Sequence, residues 1–182
     1  MRRHRPTVTL LLAGLLCGCA TEEELSAPSS PSMPLPEPVS APSTPSDAPV
    51  SRLVLLSTTN LQDLDGSGDA SQLPFAAYLY AYPYPAPKWE DGVFELMLYP
   101  ASARLKRGTP APEPIARWRW EADAVRAARS ENLVGPFYTF MIDLNQRGIP
   151  TRGVRGFQFL VRFSPELGGT PIDSAVKTVW SD

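Results

Sequence analysis

The sequence predicts an all-β fold, an antiparallel β-sandwich of about seven strands with one short crossover helix, on three observations. From Arg52 onward, short segments rich in β-branched and aromatic residues alternate with clusters of Pro, Gly and Asp. Two of these segments alternate strictly between apolar and polar residues, which is the mark of a strand with one wet face. One stretch alone, from Glu121 to Arg129, has the composition of a helix.

Taken in order, strands are expected near 52 to 59, 74 to 82, 93 to 99, 115 to 121, 137 to 144, 155 to 163 and 172 to 180. In the fourth, Ala116, Trp118 and Trp120 share one face while Arg117, Arg119 and Glu121 share the other. The sixth repeats the pattern, with Phe157, Phe159, Val161 and Phe163 aligned and Gln158 and Arg162 opposite. The helix is expected over 122 to 130. Its acids stand near the start and Arg126 and Arg129 near the end, an order that complements the helix dipole. Antiparallel strands, short loops and one short helix describe a sandwich of immunoglobulin-like, transthyretin-like or C2-like kind, with the strand order left open.

The chain has 182 residues, 43% hydrophobic and 20% charged, the balance of an ordinary globular protein. Its first fifty residues lack a core-forming pattern, so the folded domain is assigned to 51–182. From Glu22 to Val50 the composition turns to Ser, Ala and Pro, with prolines at 28, 31, 34, 36, 38, 42, 45 and 49. Proline at that density fixes φ and removes backbone donors, so 19–50 is read as a disordered, extended linker. At about 3 Å per residue it could hold the domain as far as several nanometres from whatever anchors its start.

Residues 1 to 19 join a basic stretch, Arg2, Arg3 and Arg5, to about ten apolar residues, Thr7 to Leu16. That run is too short to span the roughly 30 Å hydrocarbon core of a bilayer and has the form of a signal peptide, 1–18. Leu16-Cys17-Gly18-Cys19 then resembles the lipobox of bacterial lipoproteins. The resemblance implies cleavage between Gly18 and Cys19, lipid (palmitate-type acyl chains) attached at Cys19, and localisation in the cell envelope. Cys17 departs from the small residue usual at its position. Cleavage before Cys17 would put Leu16 where a small residue is expected, which favours Cys19. Ala20, where retention in the inner membrane would favour Asp, points to the outer membrane.

The two cysteines are Cys17 and Cys19 and the single histidine is His4. Cleavage before Cys19 therefore leaves a mature chain with no histidine, free thiol or intramolecular disulfide. Ser/His/Asp triads, Cys/His pairs and zinc or haem sites built on imidazole or thiolate are excluded on that basis. No cofactor is expected. Of the 17 basic residues, Arg2, Arg3 and Arg5 leave with the signal peptide, so 14 face 19 acidic residues. A net charge of −5 gives no footprint for nucleic acid.

Two clusters are candidate ligand sites. Asp63, Asp65 and Asp69 alternate with Gly66 and Gly68, as a calcium loop would, although Pro74 stands where an EF-hand-type loop needs its bidentate Glu. A polar turn explains the same residues. Tyr78, Tyr80, Tyr82 and Tyr84 recur with period two and would form a stripe on one strand face, able to stack on sugar rings or simply to cover a sheet. Glu90 with Asp91, and Glu121 with Asp123, are the carboxylate pairs a glycosidase would need, yet they stand in ordinary surface contexts.

The Asp63–Asp69 run, the Tyr-rich strand and Arg117-Trp118-Arg119-Trp120 before a short helix are together similar to features of uncharacterised β-sandwich lipoproteins of planctomycete-type bacteria. That resemblance spans Leu53 to Trp180 and implies a fold and a location, not an activity. A more distant likeness is to the small outer-membrane lipoprotein of type VI secretion, without any motif specific to that system. The expectation is a non-enzymatic, lipid-anchored domain with a structural or protein-interaction role, partnered by the membrane and an envelope protein. A module binding carbohydrate or calcium is the alternative.

Overall fold

The computed structural model describes residues 43–105 and 111–181. Among these residues ten strands form two five-stranded antiparallel sheets. The first sheet contains β1 (Arg52–Ser57), β2 (Gln72–Tyr80), β3 (Pro87–Lys88), β6 (Arg129–Asn132) and β7 (Gly135–Asp143), in the order β1-β2-β7-β6, with β3 also paired to β2. The second contains β4 (Gly92–Pro100), β5 (Ala116–Trp120), β8 (Gly156–Pro165), β9 (Ile172–Asp173) and β10 (Lys177–Trp180), in the order β10-β8-β4-β5, with β9 beside β8. The helix α1 (Ala122–Ala127) carries the chain from β5 in the second sheet to β6 in the first. The protein is an all-β sandwich with a crossover helix.

The register explains why the inner faces are apolar. Pairing of β4 with β8 sets Phe94 beside Phe163, Leu96 beside Val161 and Leu98 beside Phe159. Across the gap, β2 and β7 set Phe75 beside Phe140 and Ala77 beside Tyr138. Phe94 joins the two layers, with its ring centroid 5.0 Å from Tyr138, 5.2 Å from Phe140 and 4.8 Å from Phe163. Trp120 closes one side of the layer at 4.6 Å from Phe140. At the other side β8 and β10 approach so closely that a Cβ on Gly156, whose φ is +148°, would stand 2.4 Å from the Val179 carbonyl oxygen. Only glycine fits there.

All seven expected strands are present, and the differences have local causes. The strand expected over 172 to 180 is broken. The Ser174 hydroxyl accepts the Val161 N–H (3.0 Å) and so takes the place of a ladder carbonyl between β9 and β10. The helix expected over 122 to 130 stops at Ala127, because Arg129–Asn132 pairs with Gly135–Tyr138 as β6. Packing against β7 overrides helix propensity in these four polar residues. With the two-residue β3, these changes raise the strand count from about seven to ten.

The folded part also begins earlier than residue 51. Thr44 donates to Ala86 O (2.7 Å), and the Lys88 ammonium donates to Ser46 O (2.6 Å) and Ala48 O (2.8 Å). Val50 packs on the core. Residues 44–50, read from composition as linker, lie against β3, whose buried lysine takes their carbonyls as its partners.

Removing the ring that joins the layers tests this account. Phe94→Ala is expected to cost about 3–5 kcal/mol, read as a lowered midpoint in urea unfolding with an unchanged slope.

Candidate functional site

A cleft of about 1550 Å³ lies beside the first strand. Arg52–Leu55 of β1 and the preceding Ser46–Ser51 line one side, and Pro165 and Leu167–Lys177 line another. Met97, Tyr99, Leu160 and Arg162 contribute from the outward face of the second sheet. Among the described residues β1 stands at the sheet edge and pairs with β2 alone, so alternate backbone groups on its other side have no strand partner there. Arg162 holds Asp173 in a two-pronged ion pair, Nε to Oδ1 2.7 Å and Nη2 to Oδ2 2.9 Å. The hydrogen bond to Asp173 raises the Arg162 pKa further above its ordinary value. Burial raises Tyr99 above the usual tyrosine value, against the pull of Arg117 and Arg162.

The tyrosine stripe does not form. β2 ends at Tyr80, and the Tyr84 N–H donates back to Ala81 O (2.8 Å) in a turn. Tyr78 is only 3% exposed, stacked on Phe137 at 5.3 Å and bonded by Asn132 Nδ2 at 2.9 Å. Tyr80, Tyr82 and Tyr84 instead line a shallow depression of about 320 Å³ with Arg52, Pro83 and Pro85. Pattern alone overextended the strand, since it registers spacing and not the turn after Tyr80.

The loop from Asp63 to Asp69 is a self-satisfied turn. Both Asp63 oxygens accept backbone N–H groups, from Ser67 (3.0 Å) and Gly68 (2.9 Å), and Asp65 Oδ1 accepts the same Ser67 N–H (3.0 Å). Hydrogen bonding by Ser67 holds the Asp65 carboxyl below its ordinary value. Asp69 turns away to accept from Thr151 Oγ1 (3.2 Å) and Arg152 Nε (3.3 Å). The three carboxylates do not converge, and no group of three potential ligands suited to a metal occurs among the described residues.

The carboxylates of the two acidic pairs are likewise each taken up by cations. Glu90 meets Lys88 (2.8 Å), Asp91 meets Arg129 (2.8 Å), Glu121 meets Arg119 (2.6 Å), and Asp123 bonds to Arg126. The Tyr138 hydroxyl fixes the turn that carries the first pair. It accepts the Glu90 N–H and donates to Glu90 O, both at 2.7 Å. Gly18 and Cys19 lie outside the described residues.

Compared with known proteins, the chain matches no family model, no curated protein and no solved structure. Its class therefore follows from its own architecture, which among the described residues is a ten-stranded antiparallel sandwich with β1 at a sheet edge beside a cleft.

Two outcomes follow. Millimolar calcium is expected to leave the calorimetric melting midpoint unmoved, and a rise in that midpoint on adding the ion would count against a closed turn at Asp63–Asp69. Burial raises the Tyr138 pKa above 10.0, so the stability it confers is intact below pH 10.0 and falls as pH climbs through the raised value. Tyr138→Phe should lose about 1–3 kcal/mol at neutral pH, by leaving Glu90 backbone groups unpaired, and should show a shallower alkaline decline in denaturant titrations.

Proposed function

We propose that the chain is a lipid-anchored protein of the cell envelope, acylated at Cys19, whose sandwich binds an extended segment of another envelope protein along β1. The observation that carries this reading is the one-sided pairing of β1 together with the cleft that Arg52–Leu55 line. An extended chain adds to such an edge through main-chain hydrogen bonds, and flanking pockets choose its side chains. Leu160 and the exposed Val176 offer apolar contact, and Arg162, Asp173 and Lys177 offer charge. At about 1550 Å³ the opening exceeds the roughly 300–1,000 Å³ usual for a small-molecule pocket, which favours a polymer segment as occupant.

The role is a non-enzymatic one. Each carboxylate of the two acidic pairs has its own cation, and the chain after Cys19 contains neither histidine nor cysteine. Membrane attachment rests on the Leu16-Cys17-Gly18-Cys19 motif, and Ala20 favours the outer membrane.

Cells expressing the full chain and fed an alkyne fatty acid should label it, and Cys19→Ala should abolish the label while Cys17→Ala keeps it. A label that survives Cys19→Ala would sink the anchor. A photoreactive residue at Ala175, across the cleft from β1, should give an envelope-protein adduct that one at Ser67 does not. Val54→Lys, which sets a charge beside the edge, should remove most of that adduct. Equal adducts at both positions, or no effect of the lysine, would refute binding along β1.

A further inference from the structure

Three loops at one end of the sandwich present apolar side chains that the fold does not use. Leu133 (107% exposed), Leu167 (94%) and Tyr82 (88%) are the most exposed large hydrophobic residues among those described, and Val134 (57%) adjoins Leu133. Their common location follows from the strand register. β2 ends at Tyr80, opposite Pro87, and a Cβ on Gly135 would stand 3.1 Å from Pro87 Cγ, so the turn after Tyr80 and the β6–β7 hairpin share one end of the first sheet. In the second sheet Gly92 pairs with Pro165, and the Glu166 N–H donates to Asp91 O (2.9 Å), which brings the loop carrying Leu167 to the same end.

The hairpin tip has unusual chemistry. Asn132 and Gly135 pair across a two-residue loop, where Asn, Asp and Gly are the residues expected. The loop's needs are met by its flanks: Asn132 Oδ1 accepts the Val134 N–H (2.9 Å), and Gly135 supplies a φ of +122°. Leu133 and Val134 are therefore free to serve something outside the domain.

The chain reaches the domain at this end too. Residues 44–48 bond to Ala86 and Lys88, and the Ser51 N–H donates to Tyr80 O (2.9 Å). Forty-two residues precede this entry, with Cys19 among them. From this placement we infer that the loops bearing Tyr82, Leu133, Val134 and Leu167 form a membrane-contact surface that enters the headgroup region of a lipid bilayer. The inference rests on the proposed acylation of Cys19.

A lipid surface fits this end better than a protein groove does. The apolar groups stand on separate projecting loops, and a tyrosine has the amphipathic ring suited to an interface. The neighbouring charges give no positive surface, since Arg126 and Arg129 face three carboxylates, Asp91, Asp123 and Glu166. Contact is therefore with the interface of a zwitterionic bilayer and needs no anionic lipid. A tether that starts at the membrane makes this weak contact intramolecular, which raises apparent binding by about 10²–10⁴-fold.

The test uses the full chain carrying Cys17→Ala, purified from membranes and reconstituted into phosphatidylcholine vesicles with brominated acyl chains. A polarity-sensitive dye is placed by Tyr82→Cys, Leu133→Cys or Leu167→Cys, with Leu64→Cys at the opposite end as control. Dyes at the first three positions are expected to shift to the blue and lose intensity, and the dye at Leu64→Cys to do neither. Leu133→Asp with Leu167→Asp should abolish quenching at Tyr82→Cys while the chain still floats with the vesicles. Flotation with all four dyes unquenched overturns the contact surface and leaves the anchor standing. A shift seen in native membranes but not in lipid vesicles also overturns it, by showing that a protein covers the loops. Failure to float refutes the anchor, and the contact surface is then judged at saturating lipid, where an unquenched Leu133→Cys dye refutes it as well.

Discussion

The aromatic layer between the sheets is the interaction on which everything else rests. Residues 20–182 contain no cysteine, so no disulfide can fasten one sheet to the other. Phe94 from the second sheet and Tyr138 and Phe140 from the first supply the joint, and Trp120 and Phe75 extend it toward β5 and β2. The strand registers are tuned to this layer. A slip of one residue in β4 or β8 would turn Phe94, Leu96, Phe159 and Phe163 toward solvent.

With the layer fixed, the polar residues at one end take on a positioning role. Tyr138 contributes its ring to the core and its hydroxyl to the Glu90 backbone. Arg129, the first residue of β6, reaches Asp91 and lies 5.8 Å over the Trp89 ring. Exposed ion pairs of this kind stabilise a fold only slightly. What they supply is orientation: they hold the turn between β3 and β4 against the loop after β8, which shapes the cleft wall and the projecting loops alike.

Legibility in the sequence followed burial. Trp118 with Trp120, and Phe157 through Phe163, could be assigned because one face of each strand is apolar and the other polar. β6 could not, since its Arg-Ser-Glu-Asn sequence has no apolar period and pairs only because β7 lies alongside. Tyr82 and Tyr84 continued a period that the backbone abandons at Tyr80. The cleft was hidden for another reason. Its walls come from residues near 50, 98, 161 and 170, which only the sheet order brings together. Leu133 and Val134 fell between the expected helix and the strand near 137 to 144, and their apolar side chains hid the hairpin tip.

The final strand imposes a timetable. β10 adds to the edge of β8, and Trp180 also forms a parallel bridge with Asn60, its N–H donating to Thr59 O (2.8 Å) and its carbonyl accepting the Leu61 N–H (2.9 Å). This closure links residues some 120 positions apart, a contact whose entropy cost falls due before its enthalpy is gained. A chain that emerges from its N-terminus cannot lock this sandwich until residues 177–180 are free to pair. The same strand that finishes the sheet thus keeps the domain open until it arrives.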